Sequence, residues 1–408
     1  MPSQHNTLNP STFTIKMIVV KNKLFATLLF AALLLPNACQ KDIGHSADCS
    51  YVPTPNHPKA AAYQAVLDQF VATGLPGISA LVRDANGVWV GASGKADISQ
   101  NVDMKPCTVS KACSITKTFI GALSLKLVEE GAFALDDPLS KWLSGEVMDK
   151  VNNARESTVR MLLNHTSGIA DVIDDNSFYL AVLNNPARKW TPDELIPYVY
   201  GDAPEFAPGT DASYSNTNFL LLVMVIEAAT GQDHARLLRE KIIEPLDLSN
   251  TSYYWHDPLP ANTAQGYFDL YNNGTILNMT NYNTGSGNGY GGLYSNVYDL
   301  QTFIEALVRE KKVLSAAGLA QMLTFTDPVE DANRANGLGI FRDFLERAPD
   351  EYAYGHRGRD LGYTADMYWF PEKDFTMVYF VNYGTDAKSN LKETFFDFRN
   401  AMTDAVME

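Results

Sequence analysis

The feature that most constrains the fold is where the strand signals fall, because they lie at both ends of the chain with a long helical stretch between them. Gly77 to Arg83 and Val88 to Gly94 are apolar runs about Asp84-Ala85-Asn86-Gly87, which reads as a hairpin. Strands return only late, at Tyr363 to Phe370 and Phe375 to Asn382, joined by Pro371-Glu372-Lys373-Asp374. From about 131 to 260 the apolar spacing is helical, with segments at Thr158 to Asn164, Thr191 to Tyr200, Asn218 to Thr230 and His234 to Pro245. Breakers such as Ala207-Pro208-Gly209-Thr210 and Gly231-Gln232 separate them. Helices at Ala60 to Thr73 and Ser389 to Val406 flank the strand pairs. The expected class is therefore α/β of the α+β kind: an antiparallel sheet built from both chain ends, flanked by helices and packed on an all-helical region.

Ahead of this body, Lys21 and Lys23 precede the apolar run Leu24 to Leu35, which ends in Pro36-Asn37-Ala38-Cys39. The run falls short of the ~20 residues that span a bilayer, so it reads as an export signal. A small residue before Cys39 and polar Gln40-Lys41-Asp42 after it make a lipoprotein box with lipid on Cys39. Pro36 and Asn37 depart from that pattern and leave cleavage by an ordinary signal peptidase open. The residues before Met17 do not resemble a signal sequence and read as an over-long start. The expected division is 1–39 signal, 40–58 tether and 59–408 a single domain with 131–260 its helical insertion, located in the periplasm or at the cell surface.

With 46% apolar residues the chain can bury a large core, and its net charge of −15 disfavours nucleic acid and gives no basic patch for anionic lipid. Its seven histidines and four cysteines show no zinc-binding spacing, so no metal and no organic cofactor are expected. Cys107 and Cys113 read either as a disulfide or as buried thiols. The stretch Asp269 to Gly274 hints at a calcium loop, but Tyr271 occupies a ligand position and no Glu closes the loop.

Chemistry concentrates at Ser114-Ile115-Thr116-Lys117, which heads an apolar run ending at Gly131. A serine hydroxyl needs a base, and residues at i and i+3 of a helix share a face, so Lys117 can take the Ser114 proton when its amine is neutral. Burial and a cationic helix end both favour the neutral amine. Free N–H groups in a first helical turn would stabilise developing negative charge. The pattern alone is loose, and Ser389-Asn390-Leu391-Lys392 repeats it.

Two further motifs follow in order. Tyr214-Ser215-Asn216 has copies at Tyr271-Asn272-Asn273 and Tyr294-Ser295-Asn296, but only the first sits on a fixed turn ahead of an apolar helix. Its phenol can relay a proton and its amide can orient a substrate carbonyl or the lysine; the structural alternatives are a helix cap and an interior aromatic. His356-Arg357-Gly358 occurs once, just before the last strands. Its glycine would let a substrate approach the strand closely. In this order, S-x-x-K, Y-x-N and H-x-G resemble the serine β-lactamase and D-alanyl-D-alanine peptidase superfamily, in the branch with class C β-lactamases, D-aminopeptidases and esterases. Leu162-Leu163-Asn164-His165-Thr166-Ser167-Gly168 and Gly291-Gly292-Leu293-Tyr294-Ser295 look like the family too, and the likeness runs from about Ala60 to the C-terminus.

The resemblance implies a cleft between sheet and helices, in which Ser114 forms an acyl-enzyme and Lys117 and Tyr214 share the proton transfers. Asn216 would hold the substrate amide and His356 would line the cleft. Backbone N–H groups of Ser114 and Arg359 would bind the oxyanion. The implied activity is that of a D-Ala-D-Ala carboxypeptidase-like enzyme acting on a small peptide or ester, with a peptidoglycan stem peptide as candidate. The alternatives are an esterase, a D-aminopeptidase, or a surface lipoprotein that binds peptide or glycan without catalysis. The chain lacks K-T-G, which lowers the expectation of an efficient β-lactamase. Arg357 either points away from the cleft, by strand alternation, or clasps a terminal carboxylate; Arg359 raises the same question.

Overall fold

The computed structural model describes residues 54, 56–326, 332–385 and 388–408, so the export signal, Cys39 and most of the tether lie outside the described residues. Strands are β1 (Gly77–Asp84), β2 (Gly87–Asp97), β3 (Val102–Asp103), β4 (Ser110–Cys113), β5 (Ser252–Tyr253), β6 (Tyr267–Phe268), β7 (Leu277–Asn278), β8 (Leu293–Ser295), β9 (Arg334–Asn336), β10 (Phe341–Asp343), β11 (Ala353–Asp360), β12 (Tyr363–Phe370) and β13 (Phe375–Val381). Helices are α1 (Ala60–Ala72), α2 (Thr116–Glu129), α3 (Gly145–Lys150), α4 (Val159–Leu163), α5 (Asn176–Asn184), α6 (Pro192–Leu195), α7 (Asn216–Thr230), α8 (His234–Leu238), α9 (Val297–Ile304), α10 (Ala316–Met322) and α11 (Lys392–Met407).

The main sheet has eight strands in the order β3-β2-β1-β13-β12-β11-β10-β9, every described pair antiparallel. β1 pairs with β13, Ile78 opposite Val381, so the two ends of the domain meet in mid-sheet. Both faces of these strands are covered, which is why β13 reads as an unbroken apolar run. Ile78, Ala80 and Val82 of β1, with Tyr379 and Val381 of β13, pack against Leu67 of α1 and Phe395 and Phe398 of α11. The alternate residues Leu81, Met367, Val378 and Phe380 face the opposite way, into a core shared with Phe119 of α2 and Phe303 of α9.

α7 is the spine of the helical region: Phe219 to Val223, Val225 and Ile226 are fully buried, and Gly231, at φ 66°, ends it in the left-handed conformation. A three-stranded sheet, β4-β8-β5, joins the two regions, and β4 leads straight into α2. The sequence shows little sign of β4, because Ser110-Lys111-Ala112-Cys113 has neither alternation nor strong strand formers. It is held by pairing with β8 and packing against β11 and β12. Among the described residues no helix is long and apolar enough to cross a membrane.

Candidate active site

Ser114 lies in the turn between β4 and α2, two residues ahead of the helix rather than within its first turn. Cys113, just before it, has φ 52°, a left-handed conformation unusual outside glycine that lifts the serine out of the strand. Lys117 is fully buried one turn behind it. Its Nζ lies 3.2 Å from Ser114 Oγ, 2.7 Å from Asn216 Oδ1 and 2.7 Å from the Tyr290 carbonyl oxygen. Asn216 and Tyr290 offer only acceptors at these atoms, so they take two of the amine protons. A neutral amine in this setting turns its lone pair toward Ser114 Oγ; a charged one donates its third proton there. Tyr214 closes the same group, its ring centroid 4.8 Å from Lys117 Nζ. Hydroxyl, amide and phenol, separated by a hundred residues of sequence, thus line one cleft of about 350 Å³, with the Lys117 amine buried directly behind them.

Asp171 joins this group without any motif to announce it. Its Oδ2 accepts from Asn216 Nδ2 at 2.9 Å, completing a chain Asp171–Asn216–Lys117–Ser114, and it lines the cleft. Burial raises its pKa to about 6, against the opposing hydrogen bonds of Asn216 and Ile173 and the charge of Lys117. His165, from the Asn164-His165-Thr166-Ser167-Gly168 stretch, stacks on Tyr214 at 4.5 Å between centroids. Its Nδ1 accepts from the Ser215 N–H and from Asn218 Nδ2, both at 3.2 Å. Burial holds its pKa well below the usual imidazole value, so it is a neutral prop that sets the Tyr214 turn.

His356 is buried on β11, stacked on Phe341 with centroids 3.9 Å apart. Its Nδ1–H donates to the Arg357 carbonyl at 2.6 Å, and burial keeps the ring neutral. That leaves Nε2 as a bare acceptor with no hydrogen-bond partner among the described residues, on a residue that lines the cleft. Gly358 serves a different purpose from the one expected. A Cβ there would sit 2.2 Å from the Ala112 carbonyl oxygen, so the glycine lets β11 close on β4, the strand that carries Ser114, rather than admitting substrate. Gly358→Ala should therefore lower stability by about 1–3 kcal/mol, read as a fall in the thermal midpoint, and slow the labelling of Ser114. Lys111 reinforces the same junction, its Nζ 2.7 Å from Asp360 Oδ2 at the end of β11.

Arg357 and Arg359 both line the cleft, but their guanidinium groups are bonded to aspartates of the protein itself. Alternation along β11 turns both away from His356. Arg357 Nε donates to Asp343 at 3.1 Å, and Arg359 NH1 donates to Asp366 at 2.6 Å and to the carbonyls of Gly358 and Ala365. Arg399 of α11 completes this buried network from behind the sheet, bonding both aspartates. Burial would push the Asp343 carboxyl up, yet Arg357 and Arg399 hold it well below the ordinary range. Asn296 and Asp269, in or beside the other Y-x-N copies, have structural bonds, whereas Lys392 of the second S-x-x-K copy lines the cleft. Asn296 caps α9 through the N–H groups of Tyr298 and Asp299, and Asp269 spends its carboxylate on the N–H groups of Asn273 and Gly274. Ser389 and Lys392 lie just before and at the start of α11. Cys107 is disulfide-bonded but not to Cys113, which is a buried thiol outside any disulfide and donates to the carbonyls of Lys111 and Tyr363.

Comparison with known proteins fits this geometry. Residues 63–399 match the sequence profile of the family described as Beta-lactamase. Protein flp of Staphylococcus aureus is 29% identical over 195 residues, covering 47% of this chain and 38% of that protein. The D-alanyl-D-alanine-carboxypeptidase/endopeptidase AmpH of Escherichia coli is 28% identical over 184 residues, covering 45% of this chain and 47% of that protein. The chain thus spans less than half of the curated relatives it matches. Among solved structures, a D-stereospecific amidohydrolase from Streptomyces sp. is 32% identical with a TM-score of 0.71, covering 80% of this chain and 94% of its own. The D-amino acid amidase of Ochrobactrum anthropi, complexed with L-phenylalanine amide, shares the fold at a TM-score of 0.75 and 24% identity, over 86% and 99% of the two chains.

Proposed function

Because the chain belongs to the β-lactamase family, we propose that it is a serine hydrolase that acylates Ser114 with small amides or peptides. The observation that carries this is the contact of Lys117 Nζ with Ser114 Oγ, 3.2 Å apart, inside a cleft. Ser114 Oγ attacks the substrate carbonyl as its proton passes to Lys117, whose other bonds to Asn216 and Tyr290 hold the amine in line. The amine leaving group departs with a proton relayed through Lys117 and Tyr214, and water then cleaves the ester at Ser114. N–H groups of Ser114 and Arg359 serve as the oxyanion hole. No step calls for a metal or organic cofactor.

The cleft favours an acyl group with a free amine over a substrate bound by its terminal carboxylate. Asp171 supplies a carboxylate, His356 Nε2 a bare acceptor, and Arg357 and Arg359 are committed to Asp343 and Asp366. A D-amino acid amide or a peptide with a free amino end meets all three, in keeping with the amidohydrolase and amidase neighbours. A carboxypeptidase is the second reading, favoured by the positive charge that Arg334 and Lys392 bring to the cleft lining and by the likeness to AmpH.

Intact-protein mass spectrometry and turnover with D-amino acid amides, their N-acetyl forms, D-Ala-D-Ala peptides, β-lactams and p-nitrophenyl esters separate these. Free-amine amides should be preferred, with kcat/KM falling as pH drops through about 6 and Asp171 protonates. Asp171→Asn should cost ~10–100-fold on the free-amine substrates and little on the acetylated ones. Better turnover of N-acetylated D-Ala-D-Ala peptides overturns the amine preference. The same variant reports on stability. A carboxyl whose folded pKa is raised binds more protons folded than unfolded, so it destabilises the fold as pH rises from about 4 to 6. The stability of Asp171→Asn relative to wild type should thus improve by on the order of 2 kcal/mol between pH 4 and 7. This holds whatever constant cost its amide carries beside Asn216.

We also propose that the enzyme is exported and tethered through a lipid on Cys39. The disulfide at Cys107 supports an oxidising compartment. Cys39→Ser should move the protein from the detergent to the aqueous phase on partitioning.

A further inference from the structure

Away from the nucleophile, a second cluster of ligating side chains gathers where α7, α8 and the turn after β5 meet. Glu227 lies on the last turn of α7, Asp233 caps α8, His234 opens it, and His256 follows β5. Ligand atoms of Glu227, Asp233 and His234 all lie within 4.8 Å of one another, and His256 Nδ1 is 3.9 Å from Asp233 Oδ2. Glu227, Asp233 and His234 fall within eight residues of sequence, and His256 joins them from beyond β5.

The two imidazoles are oriented alike. His234 Nε2 lies 3.3 Å and His256 Nε2 3.0 Å from the same acceptor, the Gly287 carbonyl oxygen, and the rings stand 80° apart with centroids 5.2 Å from each other. A carbonyl can only accept, so both Nε2 atoms carry protons, and each Nδ1 faces a carboxylate, to which it donates as an imidazolium or beside which it ligates once that proton is displaced. Metal-bound histidines are held in this way, the far N–H on a backbone carbonyl. His234 Nδ1 faces Glu227 Oε1 at 2.6 Å, and Asp233 keeps Oδ2 for the cluster because Oδ1 accepts the Arg236 N–H at 2.8 Å. Three ligand atoms thus converge, and His256 Nδ1 stands beside them, 3.9 Å from Asp233 Oδ2. One shared proton answers the His234–Glu227 contact but leaves Asp233 Oδ2 and His256 Nδ1 facing each other, whereas a divalent cation answers Glu227, Asp233 and His234 together and draws in His256 by a small ring movement.

We propose that Glu227, Asp233 and His234, with His256 turning in as the fourth ligand, bind a first-row divalent metal, zinc above all. Two imidazole nitrogens and two carboxylate oxygens suit zinc better than calcium or magnesium, which prefer all-oxygen shells. Tetrahedral coordination with bonds of about 2.0–2.2 Å requires Glu227 to swing slightly away from His234. The exposed side of its carboxylate leaves it room, with 38% of the side chain accessible. The metal's consequence runs through Gly287. That residue belongs to the loop whose Tyr290 carbonyl accepts from Lys117 and whose Ser286 and Gly291 line the cleft, so the ion would brace the loop from behind.

The test reads binding rather than turnover, so it stands or falls independently of the proposed reaction. Protein stripped with a chelator is titrated with zinc by calorimetry, with thermal midpoints in parallel, and with cobalt for its visible absorption. We expect one ion per chain, a raised midpoint and the strong absorption of four-coordinate cobalt. Asp233→Asn keeps the helix cap, and His256→Gln keeps a polar side chain. Each should weaken zinc by at least ~100-fold, beyond what outer partners alone carry. Absence of stoichiometric binding to the wild-type protein, weak six-coordinate cobalt absorption, or affinity unchanged in both variants overturns the site.

Discussion

Replacing Ser114 by alanine should lower turnover by ~10⁴-fold or more while leaving the folded protein intact, because the hydroxyl carries the covalent step and little of the stability. Its recorded side-chain bond is the 3.2 Å contact with Lys117 Nζ, which keeps Asn216 Oδ1 and the Tyr290 carbonyl when that contact is lost. The thermal midpoint should move by no more than about 1 kcal/mol of stability implies. The direct readout is covalent. A fluorophosphonate or a penicillin should add its mass to the wild-type chain once, on the peptide containing Ser114, and not at all to Ser114→Ala. An adduct that survives the substitution would mean another nucleophile, and reversible binding with no adduct on the wild type would favour a cleft that binds peptide or glycan without catalysis.

The sequence made the sheet legible because its central strands bury both faces. Tyr363–Phe370 and Phe375–Val381 had to be apolar without interruption, and such runs are visible without a structure. β4 and β9 escaped notice for the opposite reason. Ser110–Cys113 and Arg334–Asn336 owe their extended form to the strands beside them, not to their own side chains. The site divides in the same way. Ser114, Lys117 and Tyr214 belong to ordered motifs, and the fold brings Ser114 and Tyr214 to the cleft with Lys117 buried between them. Asp171 had no motif of its own, three residues past the Asn164–Gly168 stretch, and its role emerges from the Asn216 amide lying between it and Lys117. Strand alternation separated Arg357 and Arg359 from His356 along β11, but it could not name the partners of their guanidinium groups. Asp343 and Asp366 come from other strands and Arg399 from α11.

Lys117→Ala should slow the acylation of Ser114 by at least ~10²-fold, in line with the loss of a general base. Because Ser114 itself remains, labelling should reach the same final stoichiometry at a much lower rate, which separates this variant from Ser114→Ala. Lys117 also donates to Asn216 Oδ1 and the Tyr290 carbonyl, so a slow alanine variant by itself does not distinguish a missing base from a displaced Asn216. Lys117→Arg resolves that. A guanidinium keeps the positive charge and the donors but has no lone pair to take a proton near neutral pH. If Lys117 accepts the Ser114 proton, the arginine variant is as slow as the alanine one even where the KM for amides recovers. If Lys117 only holds Asn216 and the loop at Tyr290 in place, arginine restores much of the rate, and Tyr214 becomes the base that activates the serine.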